Sequence, residues 1–463
     1  MGDGTGSGTR LPRGVPDVAL ALVLHTHMPY VEGFGTWPFG EEWLWEAIAT
    51  CYLPLLDVLD EHPGMVTVSA TPVLLDQLEA PGALARCAAF LREVRPESHR
   101  RDLASTADSG EAAALEHSAA GYARAADALA RRDLLADLAA HASWTSAATH
   151  AVLPLLATDA GVRLQLETGV TSHRRRCDGG WDGGLWLPEC AHGPWLDPLL
   201  EQAGTRAVCV DLTDVLGAPR RPLRTGAGPL LVPLDREVVE LVWSDAGYPA
   251  DPAYRDYHHF TEHRHNAWAN DGTPYDPARA LTRVGEHAED FVARVRERAG
   301  LVVCALDTEL LGHWWHEGPA WLAAVLEAAE ARGLRVAPLD AALEDFAPVA
   351  APAALPVTTW GRPRDLSTWS GPRVADLAWA ARAAELRVVV DRSVDSGMVR
   401  ELLALQASDW AFLETNALAG PYARERFSGH RERLESRLAG HARDPAELRH
   451  LAPDATPAAL HAP

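Results

Sequence analysis

The 463-residue sequence contains no lysine: all 42 basic side chains are arginine, set against 64 acidic ones for a formal net charge of −22. An acidic exterior without a basic stripe excludes the electrostatic footprint of a nucleic-acid or anionic-membrane partner and is easier to reconcile with a neutral substrate. The six cysteines, at 51, 87, 177, 190, 209 and 304, include no C-x-x-C pair, and a chain this long needs no disulfide staples. They read as reduced, buried thiols of a cytoplasmic protein. The apolar run VALALVL at 18–24 falls far short of the roughly 20 residues of a spanning helix. The opening MGDGTGSGTRLPRGVPD is Gly-rich and polar, without the early apolar stretch of a secretory signal, and residues 1–15 are expected to form a disordered tail. Phenylalanine and tyrosine are scarce, eight of each beside 16 tryptophans, which inverts their usual order.

What is present is a series of short apolar runs: VALALVL at 18–24, MVTVSA at 65–70, LWLPE at 185–189, RAVCVDL at 206–212, LLVPL at 230–234, LVVCAL at 301–306 and LRVAPL at 334–339. Continuous rather than alternating hydrophobicity marks strands buried on both faces, the pattern of a parallel sheet or barrel. Residues 80–145, rich in Ala, Leu, Arg and Glu at helical spacing, predict a helical insertion. The Ala- and Pro-loaded stretch at 346–364 marks a boundary, after which come successive amphipathic helical patterns. The expected organisation is therefore an α/β barrel over 16–345 with an insertion at about 80–145, a helical C-terminal domain over 346–452 and a tail over 453–463.

In parallel α/β folds, side chains that do chemistry gather past the carboxyl ends of strands. The first run leads into His25, Thr26 and His27, the run at 185–189 brings Trp186 and Glu189, and the run at 301–306 ends on Asp307, with His313, Trp314 and Trp315 close behind. Singly, an acid after a strand is a helix cap or a solvated charge, and His25, His27 and His313 remain open to reading as hydrogen-bonded core histidines. Two acids and two histidines aimed at one rim are not what a core requires. Trp181, Trp186 and Trp195 flank Glu189, while Trp314, Trp315 and Trp321 follow Asp307. Indole faces stack on the C–H faces of sugar rings and the N–H donates, so the pattern points to a neutral carbohydrate. Trp379 and Trp410, set in helical patterns, read as structural. Paired carboxylates among aromatics suit glycosidic chemistry, for which a retaining site holds them about 5–5.5 Å apart.

The motifs HTHMPYVEGFGTWPFGEEWLWEAI at 25–48, WTSAATHAVLPLL at 144–156, LWLPECAHGPW at 185–195, LDTELLGHWWHEG at 306–318, TTWGRPRDLSTW at 358–369 and QASDWAF at 406–412 resemble glycoside hydrolase family 57, specifically its 1,4-α-glucan branching enzyme group. The resemblance runs in order from about residue 17 to 440, and ordered motifs of this length are a specific signal. It implies a distorted (β/α)7 barrel with a helical insertion and an all-helical C-terminal domain, acting with retention and without metal or cofactor. Glu189 matches the family's nucleophile and Asp307 its general acid/base. His25 and His27 match histidines at the floor of the donor site and His150 one in the second motif. Trp360 and Trp369 match aromatics lining the cleft from the C-terminal domain, with Trp243 in the same role, and Trp186, His313 and Trp314 join the expected substrate contacts. The implied partners are an α-1,4-glucan donor and acceptor. Related branching enzymes carry a long Tyr-bearing loop after the nucleophile; here residues 211–230 are shorter and hold no Tyr.

Other readings use the same residues. A 4-α-glucanotransferase or an amylase-like hydrolase would employ both acids. A metal-dependent polysaccharide deacetylase would use H-x-H at 25–27 for Zn²⁺ with a third ligand, and a non-catalytic glucan-binding protein would keep only the aromatic groove. The His-dense segment 254–270 reads as a variable loop at the cleft edge, where a metal site stays open.

Overall fold

Strand β1 (Val18–Thr26), buried from Ala19 onward, runs through the centre of the molecule, between β2 (Val66–Ala70) on one side and β8 (Gly300–Asp307) on the other, all parallel. The computed structural model describes residues 17–35, 39–177, 180–441 and 448–461; the expected tail at 1–15 lies outside the described residues. From β2 the sheet continues in parallel through β3 (Ala142–Ser146), β4 (Gly184–Trp186), β5 (Ala207–Val210) and β7 (Leu230–Pro233). The ring closes where the Asp235 N–H, just past β7, donates to the Val303 carbonyl of β8 at 2.9 Å. Strands β1–β5, β7 and β8 thus form a distorted seven-stranded barrel. A two-residue strand β6 (Leu223–Arg224) runs antiparallel on β7 and carries β10 (Val349–Ala350).

Side-chain alternation along these strands separates two cores. Leu20, Leu22 and Leu24 of β1 join Val302, Cys304 and Leu306 of β8 under the surrounding helices. The opposite face is built from Ala19, Ala21, Val23, Leu301, Val303 and Ala305, small residues that leave room for the fully buried Trp144 and Trp186. Gly184 serves the same end, because a Cβ there would meet the Trp144 indole at 2.1 Å. Following that face past Val23 and Ala305 reaches His25 and Asp307, which are register partners. The parity of the sequence therefore sets which strand-end residues face inward.

Helices Ala83–Ala89, Arg95–Ser105, Ser109–Arg131 and Leu134–His141 stand between β2 and β3. The longest starts on Asp108, whose side chain accepts from the N–H groups of Gly110 and Glu111, as an N-cap should. After β10, helices Ala375–Val390, Ser396–Leu405, Ser408–Thr415 and Tyr422–Leu438 pack around Val399, Leu402, Leu403, Trp410 and Phe427. A buried polar cluster joins them to the barrel: Glu385 accepts from the backbone N–H groups of Ala157 and Thr158 and from Gln406, which also bonds Gln165.

Three features differ from the sequence expectation. Strand β3 falls at the end of the stretch read as wholly helical, since ASWTS follows its helix without a Gly or Pro and exposes Ser143. The run at 334–339 yields only the two-residue strand β9 (Arg335–Val336), laid on the start of β1. Trp410 is buried at 1% exposure as a structural residue, whereas Trp379 is 70% exposed and supports no core. Among the described residues no helix is long and apolar enough to cross a membrane, and all six cysteines are buried thiols.

Candidate active site

At the carboxyl ends of the strands lies a cavity of about 1520 Å³ whose lining includes Glu189, Asp307, Glu309, His27, His150 and Asp409. Glu189 follows β4 in a tight turn that holds it at φ 61° and Cys190 at φ 47°, a left-handed conformation costly for a side-chain-bearing residue and kept only where surroundings impose it. The segment 358–361 imposes it. His192 and Thr358 exchange backbone hydrogen bonds at 2.9 Å, and the Glu189 carbonyl accepts from the Trp360 N–H at 3.1 Å and the Thr359 hydroxyl at 2.8 Å. The Trp360 indole N–H then donates to one carboxylate oxygen of Glu189 at 3.2 Å, and the Ser408 hydroxyl donates to the other at 3.2 Å. Burial pushes the Glu189 carboxyl up to about 7, against these two donors and the His27 charge, which favour the ionised form.

The floor is a set of histidines. His25 stacks on Trp186 at 4.7 Å and its Nε2 meets His150 Nε2 at 2.9 Å; His150 Nδ1 meets the Ser408 hydroxyl at 2.9 Å. Burial holds both rings well below the ordinary imidazole value, so each carries one N–H. A carboxylate can only accept. With Ser408 donating to Glu189, His150 Nδ1–H must donate to Ser408 and His25 Nε2–H to His150, which fixes the direction of the whole relay. His27 behaves differently: burial opposes its charge, but Asp409 at 2.9 Å, with Glu309 and Glu189 beyond, outweighs burial and raises its pKa. Its second nitrogen reaches the Thr71 hydroxyl at 3.2 Å.

Asp307 ends β8 with its backbone partnered to His25. Among the described residues no group donates a hydrogen bond to its carboxyl. Burial, then the charges of Glu189 and Glu309, hold it well above the carboxylate range. Glu309, two residues on, accepts from the His27 N–H at 3.0 Å and the Tyr52 hydroxyl at 2.8 Å, and burial raises it to about 7. The chain then turns at Gly312, where φ is +104° and a Cβ would lie 1.9 Å from the Thr50 carbonyl; only glycine fits. That turn presents His313 and Trp314 to the cavity, Trp314 at 36% exposure.

Of the residues singled out from sequence, Glu189, Asp307, His27, His150, Trp243, His313, Trp314 and Trp360 line this one cavity. Trp243 lies parallel to Trp360 with ring centres 6.4 Å apart. His25 and Trp186, at 1% and 0% exposure, sit one layer behind, and Trp369, at 3%, is packed against Gly361 beneath the wall. These three lie behind the lining: strand alternation carries His25 and Trp186 to the inner face and covers them, whereas Trp369, on the short helix Ser367–Ser370, is covered by Gly361. Tyr52, Glu309, Ser408 and Asp409 were not singled out. Glu309 shares the motif of Asp307, and Ser408 and Asp409 lie within QASDWAF, so proximity to matched motifs was the available signal. Among the described residues no three His, Cys, Asp or Glu side chains come together as a metal-holding group, in the His-dense 254–270 segment or at H-x-H.

Comparison with known proteins agrees with the geometry. Residues 144–351 match the family described as glycosyl hydrolase family 57, and residues 374–452 match the family described as 1,4-alpha-glucan branching enzyme, C-terminal. A probable 1,4-alpha-glucan branching enzyme of Mycobacterium tuberculosis is 33% identical over 88% of this chain and 89% of its own. The crystal structure of a GH57-type branching enzyme from Pyrococcus horikoshii superposes at a TM-score of 0.85 with 30% identity, covering 94% of each chain. That of a GH57 branching enzyme from Thermococcus kodakaraensis does so at 0.86 with 30% identity and 96% of each chain covered. With this identity over this much of its length, the chain belongs to glycosyl hydrolase family 57, in the group of the 1,4-α-glucan branching enzymes.

Proposed function

We propose that the protein is a retaining 1,4-α-glucan branching enzyme that cuts an α-1,4 linkage and reattaches the chain through an α-1,6 linkage. The observation that carries this reading is the opposite treatment of two carboxyls in one aromatic-walled cavity. Glu189 receives two hydrogen-bond donors and faces the His27 charge, which favours its ionised form; Asp307 receives none and is pushed up by burial and by Glu189 itself. Environments that separate two acids in this way assign the proton. Glu189 is the nucleophile and Asp307 the general acid/base.

In the first half-reaction Glu189 attacks the anomeric carbon, forming a glycosyl ester, as the Asp307 proton passes to the departing glycosidic oxygen. In the second, Asp307 takes the proton of an acceptor 6-hydroxyl, whose oxygen bonds to the anomeric carbon as the ester breaks and Glu189 leaves as carboxylate. His27 and His150 contact the donor sugar from the floor, and Trp243, Trp360, His313 and Trp314 supply stacking walls. The helical region at 346–452 completes the cleft through Trp360, Ser408 and Asp409. Six buried thiols suit a reducing cytoplasm, and a glycogen-type polymer is the substrate.

A second reading, net hydrolysis or α-1,4 transfer by the same acids, draws on the loop at 211–230, of which only Asp211 reaches the cavity. Incubation with amylose, followed by debranching and chain-length analysis, decides between them. Branching predicts new α-1,6 linkages with little rise in reducing ends; a rise in reducing ends without such linkages overturns it.

A further inference from the structure

The cavity has an aromatic lip that none of the roles above uses. Between residue 251 and helix Pro277–Arg296 the chain forms a long loop that lines the cavity with Arg255, Tyr257, His258 and Phe260. Tyr257 is 37% exposed, a large value for a ring inside a cleft. Its ring lies edge-on to His313 at 6.2 Å and to Phe260 at 6.2 Å. Burial raises its phenol pKa, while a hydrogen bond from the Trp314 indole N–H and the Arg264 charge oppose the rise; with its ring edge-on to His313, Tyr257 lies beside the turn that follows Asp307.

The loop is held in place without help from Tyr257. Asp256 N–H donates to the Trp268 carbonyl at 2.9 Å, Asn266 donates to the carbonyls of Asp256 and His259 at 2.8 and 3.0 Å, and His259 stacks on Trp268 at 4.0 Å. Its far side is tied to the helical insertion through Asp102, which accepts from the hydroxyl of Thr261 and the N–H of His263. A loop fixed by its own hydrogen bonds that carries an exposed ring presents a stacking surface at low entropic cost.

Its position says which sugar it meets. The acid/base must contact the oxygen exchanged between leaving and incoming chains, so surfaces continuous with Asp307 border the acceptor, while those gripping Glu189 border the glycosyl ester. Of residues 211–230 only Asp211 lines the cavity, whereas the 251–276 loop brings Tyr257 beside His313 in the turn after Asp307. Resting on the branching reading above, we propose that the 251–276 loop, through Tyr257 above Trp314, is the platform for the acceptor α-glucan chain, and that its occupancy decides transfer against attack by water.

The test is the Tyr257→Ala variant beside Tyr257→Phe in the full-length protein, with transfer products and released reducing ends counted in the same amylose reaction. A lost stacking surface is expected to lower the ratio of transfer to hydrolysis about tenfold in Tyr257→Ala. Tyr257→Phe keeps the ring and should hold the ratio within about twofold. An unchanged ratio in Tyr257→Ala, whether both rates persist or both fall together, overturns the proposal. Maltooligosaccharide binding to Glu189→Gln with and without Tyr257→Ala gives a second reading independent of linkage type: about tenfold weaker binding is expected, and equal affinity refutes the platform. Should the wild type form no α-1,6 linkages, the branching reading fails, and the binding pair still judges the loop.

Discussion

Glu189 and Asp307 are chemically near-equivalent side chains on facing walls of one cavity, and their surroundings could hardly differ more. Glu189 is clamped: a left-handed backbone, two donors on its carbonyl and one on each carboxylate oxygen. Asp307 is bare, placed by the end of its strand in the cavity that Tyr257 and Trp314 also line. On the proposed roles, the difference teaches that a charge is stabilised where the nucleophile must hold one and stabilisation is withheld where the acid must keep its proton. Hydrogen bonds to a charged group are worth about 1.5–3 kcal/mol each, enough to order the two ionisations.

The largest effect comes from removing each acid and changing the leaving group. Glu189→Gln should lower turnover of amylose by about 10⁴-fold or more, and Asp307→Ala by roughly 10²–10⁴-fold. An α-maltosyl fluoride separates them, because fluoride departs without a proton. Ester formation should recover in Asp307→Ala, seen as a burst of fluoride, and stay absent in Glu189→Gln. A burst in Glu189→Gln would reverse the assignment of the walls.

The next effect probes the clamp through pH. Trp360→Phe keeps a ring beside Trp243 and Trp186 but deletes the N–H that donates to Glu189. Since that bond favours the ionised form, its loss moves the Glu189 pKa further above its value of about 7. kcat/KM in the wild type falls as pH drops through about 7, where Glu189 takes up a proton. In Trp360→Phe this acid limb should move upward by about one pH unit, a cost near 1.4 kcal/mol, so activity at pH 6 falls more than at pH 8. The alkaline limb, set by Asp307, should stay in place. A shift of both limbs together would show that the walls are not independently tuned.

Much of this contrast was legible in the sequence and part of it was not, for physical reasons. Unbroken apolar runs located the barrel strands except β3, and the ends of the runs at 185–189 and 301–306 marked Glu189 and Asp307, since strand ends are where a parallel barrel exposes side chains. Strand parity would have aligned His25 with Asp307, as the register now does. The clamp was hidden because Ser408 lies 219 residues from Glu189 and Trp360 lies 171 away, and periodicity carries no information on such separations. Depth was equally hidden: Trp186 and Trp360 belong to similar motifs, yet one is fully buried beneath the other, their rings 5.0 Å apart. Tyr257 is not legible because segment 254–270 reads as a variable loop at the cleft edge, and an irregular loop has no period that tells which of its rings faces the cleft.

The smallest expected effect belongs to a tryptophan on neither wall. Trp379 sits on the outer face of helix Ala375–Val390 at 70% exposure, with Arg382 near its ring at 5.9 Å. It touches neither the cavity nor the buried cluster that joins this helix to the barrel through Glu385. Trp379→Ser should therefore change thermal stability by no more than about 0.5 kcal/mol, and leave turnover, transfer ratio and pH profile at wild-type values. Trp243→Ser, also exposed at 42% but facing Trp360 across the cleft, should weaken glucan binding by about tenfold. Two exposed indoles with such different consequences would show that position relative to the two acids, and not the abundance of tryptophan, gives the cleft its affinity. Equal losses in both would mean that glucan is held by the surface at large, and the contrast between the walls would lose its meaning for binding.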